Sequence, residues 1–200
     1  MKKHAMLFIL VLSLGFVACK SDKKTDNDDP MTEGTEMNDN MNDNDSQMAE
    51  TKKITVNLES KSDSNATGSV VFKQENGEVT MTAVLEGLEP GTHAIHIHEK
   101  ADCSAADGTS AGGHWNPTFE DHGKWGDSNG YHRGDIGNFD ADDNGNGTIT
   151  MTTDQWCIGC DDDKKNIIGK GIIVHQGEDD FTSQPSGDAG ARVSCGGIIE

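Results

Sequence analysis

The sequence predicts an all-β domain, an antiparallel sandwich or barrel, over residues 51–200. Short apolar pieces recur between Gly, Asn and Asp, the dipeptide Asn76-Gly77 joins two of them, and no stretch sustains a helical apolar period with caps. Strands are therefore the expected repeating unit.

The first strand is expected over 54–58 (ITVNL), the second over 68–74 (GSVVFKQ) and the third within 78–88 (EVTMTAVLEGL). Asn76-Gly77 separates the second from the third, and both residues tolerate the positive φ that a two-residue hairpin turn demands. Further strands are expected at 92–98, 147–152 and 171–175, each bounded by Gly, Asn or Asp. Two stretches fit no strand, 99–135 and 176–192. Irregular loops of such length inside a compact domain are functional or clamped from outside. The first loop holds Cys103, His114, His122, His132 and Asp135, and the second runs from just after His175 to just before Cys195.

Ahead of the domain, Lys2 and Lys3 precede an apolar stretch from Ala5 to Val17, so residues 1–18 read as an export signal, too short to span a bilayer comfortably. The stretch ends in Phe16-Val17-Ala18-Cys19, which resembles a bacterial lipoprotein processing site; Phe16 is unusual there. The resemblance implies a lipid on Cys19, a membrane as partner, and a place in the cell envelope, in the periplasm or at the cell surface. Cysteine arithmetic agrees, because five cysteines in an exported chain leave one unpaired unless one is otherwise consumed. The other four, Cys103, Cys157, Cys160 and Cys195, are candidate bridges in an oxidising compartment. Residues 19–50 read as the lipidated cysteine and a disordered acidic tether, too poor in large apolar groups to offset the entropy of ordering. Met31, Met37, Met41 and Met48 could offer thioethers to Cu(I), but their irregular spacing without histidine favours a solvated linker.

The net charge of −19 becomes −21 without Lys2 and Lys3; the tether, with three lysines and ten acids, holds −7, and the domain keeps −14. A domain so acidic argues against nucleic acid and against anionic membrane surfaces as partners, while bound divalent metals would offset a few of its charges. The histidines are placed to hold such metals. HAIHIHE, at 93–99, puts His96 and His98 on one face of a strand and His93 on the other. His114, His122, His132 and His175 follow, with Asp135 three residues after His132. Imidazole nitrogens and a carboxylate oxygen in this number suit copper and zinc.

The motifs HAIHIHE, SAGGHWNP, YHRGDIGN, GIIVHQGEDD and GDAGARVSCG, in this order, resemble those of the copper,zinc superoxide dismutase family from about residue 54 onward. The resemblance implies an antiparallel Greek-key β-barrel or sandwich with long metal-binding and electrostatic loops. It implies copper on His96, His98, His114 and His175, and zinc on His114, His122, His132 and Asp135, with His114 shared between the ions. It implies that Asp179 hydrogen-bonds the far nitrogens of His96 and His122, that Arg192 attracts the anion superoxide at the copper site, and that Cys103 pairs with Cys195. His114 and Arg192 would be the catalytic residues, and superoxide would be disproportionated to dioxygen and hydrogen peroxide. His93 is then expected to be a hydrogen-bonded structural residue.

Several features stand beside that pattern. Cys157-x-x-Cys160 is expected to be a local disulfide stapling a surface loop, with a thiol redox pair as the alternative. The second loop is rich in acid, so an electrostatic funnel would rest on Arg192 with Lys100 or Lys124. The spacing from His122 to His132 leaves the path of the zinc loop open. Trp115, Trp125 and Tyr131 are candidates either for packing or for the interface of a homodimer. A copper-buffering domain on the same scaffold is the alternative to an enzyme, but a buffer has no need of Arg192. An Ig-like adhesion module would leave the ligand-type residues unexplained.

Overall fold

A computed structural model describes residues 51–200; the export signal, Cys19 and the methionine-bearing tether lie outside the described residues. Eight strands form the fold: β1 (Lys52–Ser60), β2 (Thr67–Glu75), β3 (Glu78–Glu86), β4 (Gly91–His98), β5 (Gly137–Ala141), β6 (Gly147–Thr153), β7 (Gly171–His175) and β8 (Arg192–Gly197). They close into a barrel in the order β1-β2-β3-β6-β5-β4-β7-β8, and each neighbouring pair is antiparallel. Strand β3 therefore pairs with β6 rather than β4, and β4 lies between β5 and β7, which is Greek-key connectivity. Closure removes the sheet edges that would otherwise expose unpaired backbone groups.

The first three strands form because their side chains alternate. Ile54, Val56 and Leu58 of β1, Val70 and Phe72 of β2, and Val79, Met81, Ala83 and Leu85 of β3 point into the core while their neighbours face out. Asn76 and Gly77 take φ of 53° and 85°, so the β2–β3 turn has the geometry expected of it. In β4 the same alternation sends Ile95 and Ile97 into the barrel and His96 and His98 outward, yet all four are buried because the long loops cover the outer face. The carbonyl of Ile97 accepts from Trp115 N (2.8 Å) and its amide donates to Gly134 O (2.9 Å), so both limbs of the first loop lie along β4.

Two strands were not legible in the sequence, β5 (GNFDA) and β8 (RVSCGG). Both are glycine-bearing and too short to display alternation. In β8 the glycines permit close approach: a Cβ on Gly196 would lie 2.6 Å from Asn57 O, and one on Gly197 would lie 2.7 Å from Ala101 O.

Both disulfides are present, Cys103–Cys195 with Cα atoms 5.8 Å apart and Cys157–Cys160 with 6.0 Å. The second does more than staple a surface. Cys157 and Ile158 are buried, Ile158 N donates to Gln74 Oε1 (2.6 Å), and Trp156 beside them packs edge-on against Phe72 at 6.2 Å. Trp115 is buried in the core, Trp125 stacks against Trp156 (5.4 Å) and Tyr131 (5.0 Å), and Tyr131 Oη donates to Gln155 Oε1 (2.9 Å). These three aromatics therefore pack within their own chain. The Cys103–Cys195 bridge spans 92 residues. Replacing both cysteines by serine is expected to lower the unfolding free energy of the metal-free domain by up to about 4 to 5 kcal/mol, measured by urea titration with and without reductant.

Candidate metal centre

The site is built on the outer face of β4. His96 and His98, two residues apart, project on the same side, and β7 beside them ends in His175. The first long loop brings His114 against His98 through an isolated β-bridge, and its return limb carries His122, His132 and Asp135. All of these residues are buried. Their ligand atoms fall into two groups, His96, His98, His114 and His175 in one and His114, His122, His132 and Asp135 in the other, with the atoms of each group within 4.8 Å of one another. His114 belongs to both.

Hydrogen bonds decide which nitrogen of each ring faces the centre. His98 donates Nδ1–H to Gly112 O (3.0 Å), leaving Nε2 3.4 Å from Nε2 of His175. Two imidazole nitrogens so close can share a proton or hold a cation between them. His96 and His122 donate Nε2–H to the two oxygens of Asp179, at 2.9 and 2.8 Å, so each turns Nδ1 toward the centre. Asp135 lies among His114 Nδ1 (2.8 Å), His122 Nδ1 (3.0 Å) and His132 Nδ1 (3.2 Å). The contacts to His122 and His132 are out of line for hydrogen bonds. Buried Nδ1 of His96, Nε2 of His114 and Nδ1 of His122 and His132 consequently have no hydrogen-bond partner.

Unsatisfied buried polar atoms are costly and rare. Four in one place fit metal ions: those of His96, His114 and His132 offer lone pairs to a cation, and that of His122 does so once it gives up its proton. Ligands about 2.1 Å from one ion stand at most about 4.2 Å apart, so both groups need only a slight contraction to close on one.

Electrostatics agree with this reading. Burial holds the pKa of His98 and His175 well below the usual histidine range, and it lowers that of His114 to about 4 against the opposing pull of Asp135. These rings are neutral at physiological pH, as metal ligands must be. Burial also acts to lower His122, but the carboxylates of Asp135 and Asp179 outweigh it and raise its pKa to about 9 in the metal-free protein. Asp135 and Asp179 are held well below the usual carboxylate range, because the attraction of the histidine nitrogens that face them outweighs the cost of burial.

The remaining sequence-predicted residues lie around this centre. Arg192, the first residue of β8, donates Nη1 to Gly108 O and Nη2 to Gly112 O, both at 2.8 Å, and lines the cavity that opens onto His98, His114 and His175. Lys100 and Lys124 do not line that cavity. Lys100 lies at the strand-to-loop corner after β4, where its amide donates to Ala111 O. His93 shares the parity of Ile95 and Ile97 and lies between the carbonyls of His175 (Nδ1, 2.9 Å) and Glu89 (Nε2, 2.7 Å). It supports the backbone of a ligand and takes no part in either group.

The match to known proteins falls on these same residues. Residues 66–198 match the family model described as Copper/zinc superoxide dismutase (SODC). The chain belongs to the copper/zinc superoxide dismutase family. "Superoxide dismutase [Cu-Zn] 2" of Brassica juncea is 34% identical over 142 residues, covering 68% of this chain and 90% of that one. Among solved structures, the clock protein EA4 matches with a TM-score of 0.64 at 33% identity, over 74% of this chain and 94% of its own. A SOD-like protein from Bacillus subtilis, solved as a double mutant, matches with a TM-score of 0.66 at 32% identity, over 73% of this chain and 97% of its own. As a superoxide dismutase the chain is an oxidoreductase acting on superoxide, and its metals are copper and zinc.

Sequence reasoning missed three residues of this dismutase site. Asn138 clamps Asp179 at both ends, its Oδ1 accepting from Asp179 N (2.9 Å) and its Nδ2 donating to Asp179 O (2.8 Å). Gln184 does the same for His122, accepting from its amide (2.9 Å) and donating to its carbonyl (2.8 Å). Gly187, at φ 68°, lies flat on the Asp179–His122 pair, and a Cβ there would overlap Asp179 Oδ1 and reach within 2.7 Å of His122 Nε2. An amide and a glycine carry no ligand signature, so spacing could not single them out.

Two outcomes follow. Gly187→Ala is expected to lower zinc affinity about 10- to 100-fold by displacing Asp179 from His122, measured by competition with a chromophoric chelator. His122, with its pKa raised to about 9, holds a proton at neutral pH that zinc must displace. Calorimetry of zinc binding in buffers of different ionisation enthalpy should show about one proton released near pH 7.5, declining toward none as pH rises through 9.

Proposed function

We propose that this dismutase holds copper on His96, His98, His114 and His175 and zinc on His114, His122, His132 and Asp135, with His114 joining the two ions, and works outside the cytoplasm. The observation that carries this assignment is the set of buried, unpartnered ring nitrogens that fall into two groups sharing His114. Four nitrogens suit cupric ion, and three nitrogens with one carboxylate make a closed shell suited to structural zinc. When bound, copper supplies one-electron exchange with superoxide in both directions, and zinc supplies a fixed charge without redox chemistry.

The protein's own groups do the rest. Arg192, pinned between Gly108 O and Gly112 O, presents a positive charge beside His98 and orients an arriving anion. His114 has Nδ1 turned to Asp135 and Nε2 turned to His96, His98 and His175, so Nε2 is the atom at which a proton can be held on the substrate side. Asp179 fixes the tautomers of His96 and His122 together, which keeps both groups in register. The Cys103–Cys195 bridge ties the segment bearing Gly108 and Gly112 to β8, and with it the carbonyls that hold Arg192.

Location is the second part of the proposal. The Lys2–Lys3 and apolar run before Cys19, and the two disulfides, support export and lipid attachment at Cys19.

Metal content and superoxide dismutation by residues 51–200 test the site. The wild type is expected to hold one copper and one zinc and to be fast. His98→Ala should abolish turnover, and Arg192→Ala should keep both metals while slowing turnover about tenfold or more. A wild type that binds both metals but does not turn over superoxide would overturn the proposal in favour of copper storage. In the full chain, Cys19→Ser is expected to move the protein from the membrane fraction to the soluble fraction.

A further inference from the structure

The cavity above His98, His114 and His175 opens those rings to a small anion, and its charges do not all favour one. Arg192 is its single cation among the described lining residues, whereas Glu99 and Asp188 both line it and both are exposed. The three groups meet the cavity from different elements. Glu99 follows the end of β4, Asp188 lies on the β7–β8 loop at φ 50°, and Arg192 opens β8.

Glu99 and Arg192 also hold one peptide group from opposite ends. Arg192 Nη2 donates to Gly112 O, and Gly113 N, on the other side of that peptide bond, donates to Glu99 Oε2 at 3.3 Å. The carboxylate is thereby kept at the rim beside the guanidinium. Asp107, on the turn before Gly108, is a further acid near Arg192. Nη1 and Nη2 of Arg192 each donate to a carbonyl, and among the described residues no carboxylate lies within ion-pair distance of its head. The carboxylates act instead through space on whatever enters.

We propose that Glu99 and Asp188 form a charge gate at the mouth of the copper side, which slows the entry of superoxide and makes turnover rise with ionic strength. The proposal rests on the dismutase reading above. A monoanion on its way to Arg192 and the bound cations deeper in must first pass these two like charges at the rim, inside a domain of net −14 by sequence count. Salt screens exposed charges at the rim more strongly than a half-buried guanidinium. Glu99 and Asp188 therefore set the rate of access without touching the reacting atoms.

The test uses the copper- and zinc-loaded enzyme and measures kcat/KM for superoxide against ionic strength in wild type, in Glu99→Gln/Asp188→Asn, and in Glu78→Gln/Asp143→Asn. The last pair removes the same number of charges from exposed positions, the start of β3 and the β5–β6 turn, that do not line the cavity. Glutamine retains an acceptor for Gly113 N, so the first variant removes charge and leaves the peptide contact. The mouth variant is expected to be roughly three- to tenfold faster at low salt and to lose the rise with salt, while the control changes less than about 1.5-fold. Azide, titrated against the visible absorption of the cupric enzyme, should bind the mouth variant more tightly by a similar factor. Equal behaviour of the two variants, or a slower mouth variant, overturns the gate. If wild type and variant both fail to turn over superoxide while azide still binds the variant more tightly, the gate stands and the enzymatic reading falls.

Discussion

The buried carboxylate of Asp179 joins three parts of the chain that share no strand pairing. One oxygen holds His96 on the barrel wall, the other holds His122 on the first long loop, and the residue itself belongs to the loop between β7 and β8. A charge this deep is tolerable only because each acceptor position is filled: Phe181 N also donates to Oδ1 at 2.7 Å, and Asn138 secures the backbone on both sides. The tautomers of the two histidines, and hence which nitrogens face the metal positions, follow from this one group. The orientation of each ion's shell is therefore coupled to that of the other even before His114 is considered.

Around this joint the long loops stay ordered without regular secondary structure, because covalent and polar ties take the place of ladders. The Cys103–Cys195 bridge fixes one end of the first loop to β8. The Gly112–Gly113 peptide then gathers His98 and Arg192 onto its carbonyl and Glu99 onto its amide. Glycine is required at Gly112 because φ is 80° and the Glu99 side chain lies against the Cα. A ligand, an anion-attracting cation and a rim carboxylate are thus set by a single peptide plane, which links the chemistry of the site to the electrostatics of its entrance.

The pKa pattern expresses the same arrangement. Rings with no carboxylate beside them, His98 and His175, are pushed toward neutrality by burial, while His122, flanked by two carboxylates, is pushed the other way. In the metal-free protein His122 has a proton in place of an ion. Under the proposed assignment, exchange of that proton for zinc would couple metal loading to pH, and the two carboxylates that stabilise the proton would remain to balance the cation.

Much of this was readable from the chain itself. Alternation in β1 to β3, the Asn76-Gly77 turn, and the parity of His96 and His98 are local properties, set by the two-residue period of a strand and by the dihedral limits of single residues. The ligand-type residues and the Cys103–Cys195 pairing were legible because five motifs in order carry the family resemblance. Strands β5 and β8, the supporting roles of Asn138, Gln184 and Gly187, and the presence of Glu99 and Asp188 at one mouth were not. Each depends on contacts between segments tens of residues apart, made by residue types that are common everywhere. The sequence alone determined six of the barrel's eight strands and the ligand-type side chains of its candidate metal groups, because periodicity and ligand chemistry are written residue by residue. Only the tertiary structure decided which nitrogen each ring presents and which charges meet an incoming anion, because hydrogen-bond partners and field direction arise from where distant segments converge.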